Sequence, residues 1–284
     1  MGVRIVTDST SDLPPELCRE LGVTVVPLTV NFGDKEYRDG VDLSAEEFYQ
    51  ALISSPSLPR TSQPSAGLFA KTYTDLAQET DEILSIHLST KLSQTCNSAQ
   101  LGAGEVKDRC RVEVVDSLQV SIGLGLVVIA AARAVRDGAS LEEAKRVAER
   151  AGAETRTICL LDTLEYLSKG GRIGKLQFYL GTSLRRLSVF KVIPMLIIKD
   201  GEAHPLDRFR TRQKGLDRLV TELQQAGDIA YAGVAHSTTP DEAQDLSQQL
   251  QGHVPKENFF ITRFGPVLGT YVGPGAIGVA MTRA

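Results

Sequence analysis

The sequence predicts an α/β protein: a doubly wound parallel-sheet N-terminal domain plus a mixed α+β C-terminal domain. Through the first 160 residues, short β-branched apolar runs alternate with helix-length segments, as in βαβ units. In the second half, an Asp-Gly turn at 200–201 joins two strand-like runs and predicts a hairpin. A chain of 284 residues is long enough for one large domain or two ordinary ones. We place a Rossmann-like domain at 1–160 and an α+β domain at 161–284.

Local signals support each element of the first domain. Its strands are apolar and β-branched. The first helix begins at Pro14-Pro15, because proline suits the first helical turn. The second follows Ser44, with Glu47 at the capping-box spacing. The predicted strands are 3–7, 23–30, 82–88, 111–115 and 157–161. The predicted helices begin near 15 and span 45–53, 66–79, 94–106, 120–135 and 141–151, and 60–65 is predicted as a polar turn.

The second domain mixes hairpin and helix signals. The stretch 188–210 is rich in strand-forming residues and folds back at 199–202, where Asp-Gly favours a tight turn. The glycine-rich run 265–275 precedes the last strand and is not assigned to a helix or a strand. The other predicted helices are 164–168, 213–225 and 240–250, and the other predicted strands are 229–236, 259–262 and 276–281.

Composition argues against several classes of function. The net charge of -4 disfavours nucleic-acid binding, because proteins that bind the phosphate backbone are usually basic. The longest apolar run, Ile122–Ala132, is too short to span a bilayer, so no membrane insertion is expected. The four cysteines are scattered and show no pairing or zinc motif, and no apolar leader precedes the strand-like Val3–Val6. We therefore expect a soluble cytoplasmic protein.

Motifs for nucleotide or metal binding do not meet their structural requirements. Gly273–Gly278 matches G-x-G-x-x-G, but only six residues follow it, too few for the helix and acidic residue of a dinucleotide site. Gly170–Lys175 is one residue short of a phosphate-binding P-loop. The histidines lack metal-ligand spacing, and His87, in an apolar strand, is expected to be a hydrogen-bonded core residue. No metal or cofactor is expected.

A hydroxyl-rich segment, Ser89–Ala99, stands between a predicted buried strand and a predicted helix. Free backbone N–H groups and the positive end of the helix dipole converge at such a junction and favour an anion. The alternative is an ordinary helix cap, since Ser and Thr are preferred there. Hydroxyl-rich loops at 7–12 and, less directly, at 60–65 also follow strands. We expect all three loops to meet at the sheet edge where doubly wound folds bind ligands.

Seven segments in order identify a family resemblance. The first four are Thr7–Leu13, Thr61–Ser65, Leu92–Thr95 with Asn97–Ala99, and Asp116-Ser117. The last three are Leu164–Ile173, Arg210–Arg212 and Gly265–Gly275. Each segment alone is a weak signal, but together and in this order they are specific. Along essentially its whole length the chain resembles the DegV family of bacterial fatty-acid-binding proteins.

The resemblance implies that a long-chain fatty acid such as palmitate lies between the two domains, the second closing over the acyl chain. Thr61, with Ser62 beside it, and Ser93 would hydrogen-bond the carboxylate. The full ligand-binding set it implies is Thr61, Ser62, Ser93, Thr95, Tyr271 and Gly273. It also implies a partner, an ATP-dependent fatty acid kinase that phosphorylates the carboxyl group while this non-catalytic protein presents it. Arg172 and Arg210 would face the carboxylate or the kinase.

Two positions depart from the family pattern. Tyr271 stands where the family commonly has His, and Gln94 stands where it usually has Gly. Tyrosine can donate a hydrogen bond to a carboxylate, but it supplies neither positive charge nor a base near neutral pH. The change at 271 is therefore compatible with a role in binding and does not support one in phosphoryl transfer.

Fatty acid binding agrees with the physical chemistry of the sequence. A tail of about fifteen methylenes contributes roughly 12 kcal/mol of gross burial energy, while hydroxyl donors replace the hydration of the carboxylate. The apolar segments 118–128 and 189–198 are expected to line the tail. Two alternatives stay open: a small-molecule phosphotransferase or hydrolase acting on an anionic metabolite, and a regulatory module that binds another acidic metabolite.

Overall fold

The computed structural model describes residues 2–55, 57–172, 192–250 and 253–284. The strands are β1 (Arg4–Asp8), β2 (Val23–Val26), β3 (Thr29–Phe32), β4 (Lys35–Arg38), β5 (Arg60–Ser62), β6 (Glu82–His87), β7 (Arg111–Asp116), β8 (Thr155–Leu160), β9 (Ile193–Lys199), β10 (Glu202–Phe209), β11 (Ile229–His236), β12 (Phe259–Arg263) and β13 (Ile277–Arg283). The helices are α1 (Pro15–Leu21), α2 (Ala45–Ser54), α3 (Ala66–Leu76), α4 (Thr95–Glu105), α5 (Ile122–Arg136), α6 (Leu141–Glu154), α7 (Glu165–Lys169), α8 (Arg212–Gln224), α9 (Pro240–Leu250) and α10 (Pro266–Val272).

The first sheet is parallel and has helices on both faces, as the strand–helix alternation predicts. Its strand order is β2-β1-β6-β7. One face packs against α3 and α4 through buried side chains such as Phe69 and Ala99, and the other packs against α5 and α6. The chain passes from one side of β1 to the other between β2 and β6. The carboxyl ends of β1 and β6 therefore form the switch point where such sheets bind ligands.

The second sheet is mixed, with the order β10-β9-β8-β13-β11-β12. The predicted hairpin is present: β9 and β10 pair antiparallel around a turn at Asp200-Gly201, both with positive φ. Strand β8 ends at residue 160 yet pairs with β9 and β13, so it belongs to this second sheet. A domain boundary near residue 160 stays a prediction.

Residues 23–30 form two strands instead of the single strand predicted. Pro27 lacks the N–H that a strand interior must donate, so β2 ends at Val26. Strand β3 then begins a separate antiparallel sheet with the order β4-β3-β5. Strand β5 lies within the segment predicted as a polar turn, and its Thr61 pairs with the buried Val30. This pairing gives Thr61 a defined position.

Helix α5 lies between the two large sheets. It contacts β1 and β6 on one side and β8, β11 and β13 on the other, and Ile122–Ala132 is buried throughout. The apolar run is therefore core, as the sequence predicts. In the part of the chain described here, no helix is both long and apolar enough to cross a membrane.

Helix α10 occupies the glycine-rich run that the sequence left unassigned. Pro266 stands at its first turn, where proline is favoured, and Gly273 ends it with a φ of 70°. The helix packs against α2, where a Cβ on Gly269 would stand 2.4 Å from the Phe48 ring. A segment from the end of the chain is thereby packed on elements from its beginning.

Candidate functional site

A pocket of about 1040 Å³, including its mouth, lies between the carboxyl edge of the first sheet and the face of the second. The loops after β1 and β6 contribute Thr10 and Ser93, and β5 with the residue after it contributes Thr61 and Gln63. The three hydroxyl-rich loops therefore line the same pocket, as the sequence predicts.

The second sheet forms an apolar wall of this pocket. Successive side chains of a strand point to opposite faces, so alternate residues of β8 and β9 share a face. Cys159 pairs with Leu196 of β9 and with Gly278 of β13, and all three line the pocket. Burial raises the pKa of the Cys159 thiol to about 12, which keeps it neutral and compatible with this surface.

Both segments predicted to line an acyl chain contribute to the pocket. Val120–Ile122 line it from the beginning of α5, and Leu196–Ile198 line it from β9. The rest of the apolar run in α5 is core. Residues 189–191 of the second predicted segment lie outside the described residues.

Hydroxyl groups from three distant segments also line the pocket. Thr61 Oγ1 and the Tyr271 hydroxyl form a short hydrogen bond across 210 residues of sequence. Ser93 Oγ lies 2.9 Å from Thr95 Oγ1 at the beginning of α4. Hydroxyls of this kind can donate hydrogen bonds to a carboxylate without a metal ion.

Arg172 places a positive charge beside these hydroxyls. Its guanidinium carbon lies 5.1 Å from the centroid of the Tyr271 ring, and its Nη1 donates to the Gly170 carbonyl at 2.9 Å. Arg172 is exposed and lines the pocket. It can supply the positive charge that Tyr271 lacks.

The other predicted site residues do not line the pocket that the described residues form. Thr95 is fully buried and contacts Ser93. Ser62 is exposed because it follows Thr61 in strand β5 and points to the opposite face. At Gly273, a Cβ would stand 2.3 Å from the Tyr166 ring. Arg210 is exposed and is absent from the pocket lining that the described residues form.

A buried hydrogen-bond chain that the sequence did not predict supports Thr10. Asp8 accepts hydrogen bonds from Thr10 Oγ1 at 2.5 Å and from the Thr10 N–H at 3.0 Å. Because a carboxylate only accepts, His87 Nδ1 donates to Asp8 at 2.9 Å, and the other ring nitrogen, Nε2, lies 2.7 Å from Ser85 Oγ. Ser85 also contacts the Tyr73 hydroxyl at 2.8 Å. His87 is thus the hydrogen-bonded core residue that was predicted.

Two further carboxyl groups near the pocket were missed. Asp12 follows β1 and Asp39 follows β4, and both lie at the beginning of α10. Burial is the main cause that raises the pKa of Asp12 to about 8 and that of Asp39 to about 7. An Asp in a loop carries no sequence signal for burial, so the burial of these two residues was not predicted.

The motifs set aside in the sequence have ordinary positions. The run Gly273–Gly278 leads into strand β13 rather than a helix, as expected from the few residues that follow it. The P-loop-like segment continues into 173–175, which lie outside the described residues. Across the ranges that the structure describes, no three metal-binding side chains cluster.

Comparison with known proteins agrees with this architecture. The family model described as "Uncharacterised protein, DegV family" matches residues 2–284. A DegV domain-containing protein of Streptomyces coelicolor is 36% identical over 284 residues, which are 99% of this chain and 98% of the relative. A structure on the fatty acid binding of a DegV family protein from Thermus thermophilus matches with a TM-score of 0.89 at 35% identity and covers 100% of both chains. A stearic-acid-binding protein from Eubacterium ventriosum matches with a TM-score of 0.87 at 28% identity and covers 99% of this chain and 98% of its own. The chain therefore belongs to the DegV family.

Proposed function

We propose that this protein binds a long-chain fatty acid in the pocket, with the acyl chain along the apolar wall and the carboxylate at the hydroxyl groups. One observation carries the proposal: an apolar pocket of about 1040 Å³ also holds the hydroxyls of Thr61, Ser93 and Tyr271. The fatty acid binding described for the Thermus thermophilus and Eubacterium ventriosum proteins supports it.

The two parts of the pocket play different energetic roles. Burying about fifteen methylenes provides roughly 12 kcal/mol of gross energy, from which the cost of immobilising the ligand is subtracted. Each hydrogen bond to the charged carboxylate adds about 1.5–3 kcal/mol. The tail therefore provides most of the affinity, and the hydroxyls with Arg172 fix the orientation of the head group.

Native mass spectrometry of the purified protein, followed by solvent extraction, tests the binding role. The expected result is one fatty acid per chain. Ser93→Ala should retain less lipid than the wild type, while Ser62→Ala, which removes an exposed hydroxyl on the opposite face of β5, should retain as much. A bare protein that takes up no added palmitate would contradict the proposal. Turnover of a small anionic substrate that is lost in Ser93→Ala would favour the enzyme alternative.

The second part of the proposal concerns a partner. The bound acid is presented to an ATP-dependent fatty acid kinase, for which this protein is the non-catalytic, cytoplasmic binding subunit. Arg172 is exposed at the pocket, and Arg210 is exposed and forms no ion pair with any described residue. Exposed arginines of this kind suit the docking of an acidic surface or a phosphate group.

Reconstitution with such a kinase, ATP and palmitate tests the partner. Formation of acyl phosphate should require both proteins. Arg210→Ala should lower the rate without changing palmitate retention, because Arg210 does not line the pocket. Lys107→Ala, a change to an exposed cation after α4, serves as the control for loss of surface charge. Equal rates for the wild-type protein and the Arg210 variant would contradict a docking role for this residue.

A further inference from the structure

Two buried carboxyl groups contact the residues at the beginning of helix α10. Asp12 and Asp39 come from the first half of the chain, and they are only 7% and 4% exposed. The Gly265 N–H donates to Asp12 Oδ1 at 2.9 Å. The Val267 N–H is close enough to Asp39 to stabilise its charged form, as is the Ser9 hydroxyl. The pair thus joins helix α10 to loops that follow β1 and β4.

The Asp12–Asp39 pair also contacts residues that line the pocket. Asp12 Oδ2 accepts a hydrogen bond from the Ser121 hydroxyl at 2.5 Å, and Ser121 lines the pocket. On the other side, Val267 and Tyr271 of α10 line it as well. A shift of α10 away from Asp12 and Asp39 would move the Tyr271 hydroxyl and open the apolar wall at the same time.

The spacing of the two carboxyls opposes double ionisation. One oxygen of each lies 3.1 Å from the point where a Cβ of Gly265 would stand. They are therefore within the range of ~6 Å over which like charges disfavour each other's ionisation. Asp39 Oδ2 is buried and has no hydrogen-bond partner among the described residues. A second negative charge here would be poorly solvated.

The charged and titratable groups around the pair do not neutralise it. Asp8 adds a third carboxyl, although it is hydrogen-bonded to His87 at 2.9 Å. From α2, Tyr49 faces both carboxyls, and the Arg263 guanidinium lies over its ring at 5.0 Å. Arg263 forms its ion pair with Glu46. Within the described ranges, Asp12 and Asp39 have no cationic partner of their own.

We propose that Asp12 and Asp39 are positioning residues for the fatty acid site, a carboxyl pair that retains at least one proton and thereby holds helix α10 and Tyr271 in place. This inference rests on the proposed function. Asp12 and Asp39 fix the helix that carries a ligand-binding hydroxyl, without contacting the ligand themselves.

The structure fixes the sign of the pH dependence. Burial and the neighbouring carboxylates raise the pKa of Asp12 to about 8 and that of Asp39 to about 7, from 3.8 in the unfolded chain. Because both pKa values are raised in the folded state, the contribution of the two groups to the free energy of unfolding is fully present below pH 3.8. That contribution is lost as the pH rises through 7 and 8. Helix α10 is therefore held least firmly at alkaline pH, and ligand release should accelerate there.

The inference is tested by the rate at which radiolabelled palmitate transfers from the protein to phosphatidylcholine vesicles. The rate is measured from about pH 5.5 to about pH 9, which brackets the titration of Asp12 and Asp39. Wild-type protein should release palmitate several-fold faster at the alkaline end. Asp12→Asn and Asp39→Asn, which mimic the protonated groups, should have flatter profiles and retain palmitate better than the wild type at alkaline pH. Asp34→Asn, at an exposed turn between β3 and β4, should behave like the wild type.

A flat wild-type profile, or an unchanged alkaline rise in both Asn variants, would overturn the inference. Failure of the proposed function looks different: the protein then takes up no palmitate at any pH. In that case the pH dependence of urea unfolding tests the pair, with a shallower slope expected for the Asn variants than for the wild type and Asp34→Asn. If neither Asn variant folds, urea unfolding of the wild type as a function of pH tests the pair. A free energy of unfolding that does not fall between pH 6 and pH 9 would contradict carboxyl groups with pKa values of about 7 and 8.

Discussion

Tyr271→Phe removes one hydroxyl from the pocket and leaves the aromatic ring. The hydroxyl bonds Thr61 Oγ1, while the ring supports the Arg172 guanidinium at 5.1 Å. If the hydroxyl donates to the bound carboxylate, its removal eliminates a charge-assisted hydrogen bond worth about 1.5–3 kcal/mol. Because about 1.4 kcal/mol corresponds to a factor of ten, the Kd for palmitate should rise roughly 10- to 150-fold.

The assay is displacement of a fluorescent fatty acid by palmitate from delipidated protein, with urea unfolding measured in parallel. Tyr166→Phe is the matched control, because its hydroxyl makes no hydrogen bond to a described residue although its ring packs beside Gly273. The control should bind palmitate as the wild type does. If Tyr271→Phe is folded and has an unchanged Kd, the carboxylate does not lie at Tyr271, and the assignment of the polar end of the pocket is wrong.

Three further substitutions test the surroundings of the site. Gly273→Ala should lower the free energy of unfolding in urea more than Gly227→Ala. Both glycines have positive φ, but only at Gly273 would a Cβ meet a side chain, at 2.3 Å. Equal losses of stability would contradict this steric argument. His87→Ala should cost about 3 kcal/mol in the same assay because it leaves Asp8 buried without one of its donors, and a loss below about 1 kcal/mol would show that the hydrogen-bond chain contributes little. Cys159→Phe should fill space along the apolar wall and weaken palmitate binding more than octanoate binding, and equal weakening would place the acyl chain elsewhere.

Local patterns were sufficient for most elements of the fold. The capping box at Ser44 and Glu47 is present, with the Glu47 carboxylate accepting from the Ser44 N–H at 3.0 Å. The Asp-Gly turn forms its hairpin, and the apolar run 122–132 is core. These features depend on residues close together in the sequence, so periodicity and turn chemistry predict them. The strand predicted at 23–30 is one exception, because Pro27 divides it into β2 and β3.

The site was predictable where it depends on the parallel sheet. Hydroxyl-rich loops that follow parallel strands meet at one edge, so a shared pocket for Thr10 and Ser93 follows from the order of elements. Thr61 reaches the same pocket from β5 of the antiparallel sheet, which the order of elements does not predict. The sequence could not separate Thr61 from Ser62, because both are hydroxyl residues in one short segment. Their separation depends on the pairing of β5 with β3, which assigns the two side chains to opposite faces.

The sequence by itself determined the order of strands and helices, the parallel architecture of the first sheet and the family, because these are carried by local periodicity and short ordered segments. Only the tertiary structure decided that Tyr271 meets Thr61 and that Asp12 and Asp39 are buried together at one helix end. The physical reason is that α10 packs against elements more than 200 residues earlier in the chain, as its hydrogen bond across 210 residues shows. Burial and proximity of that kind arise from packing, which no local pattern of residues specifies.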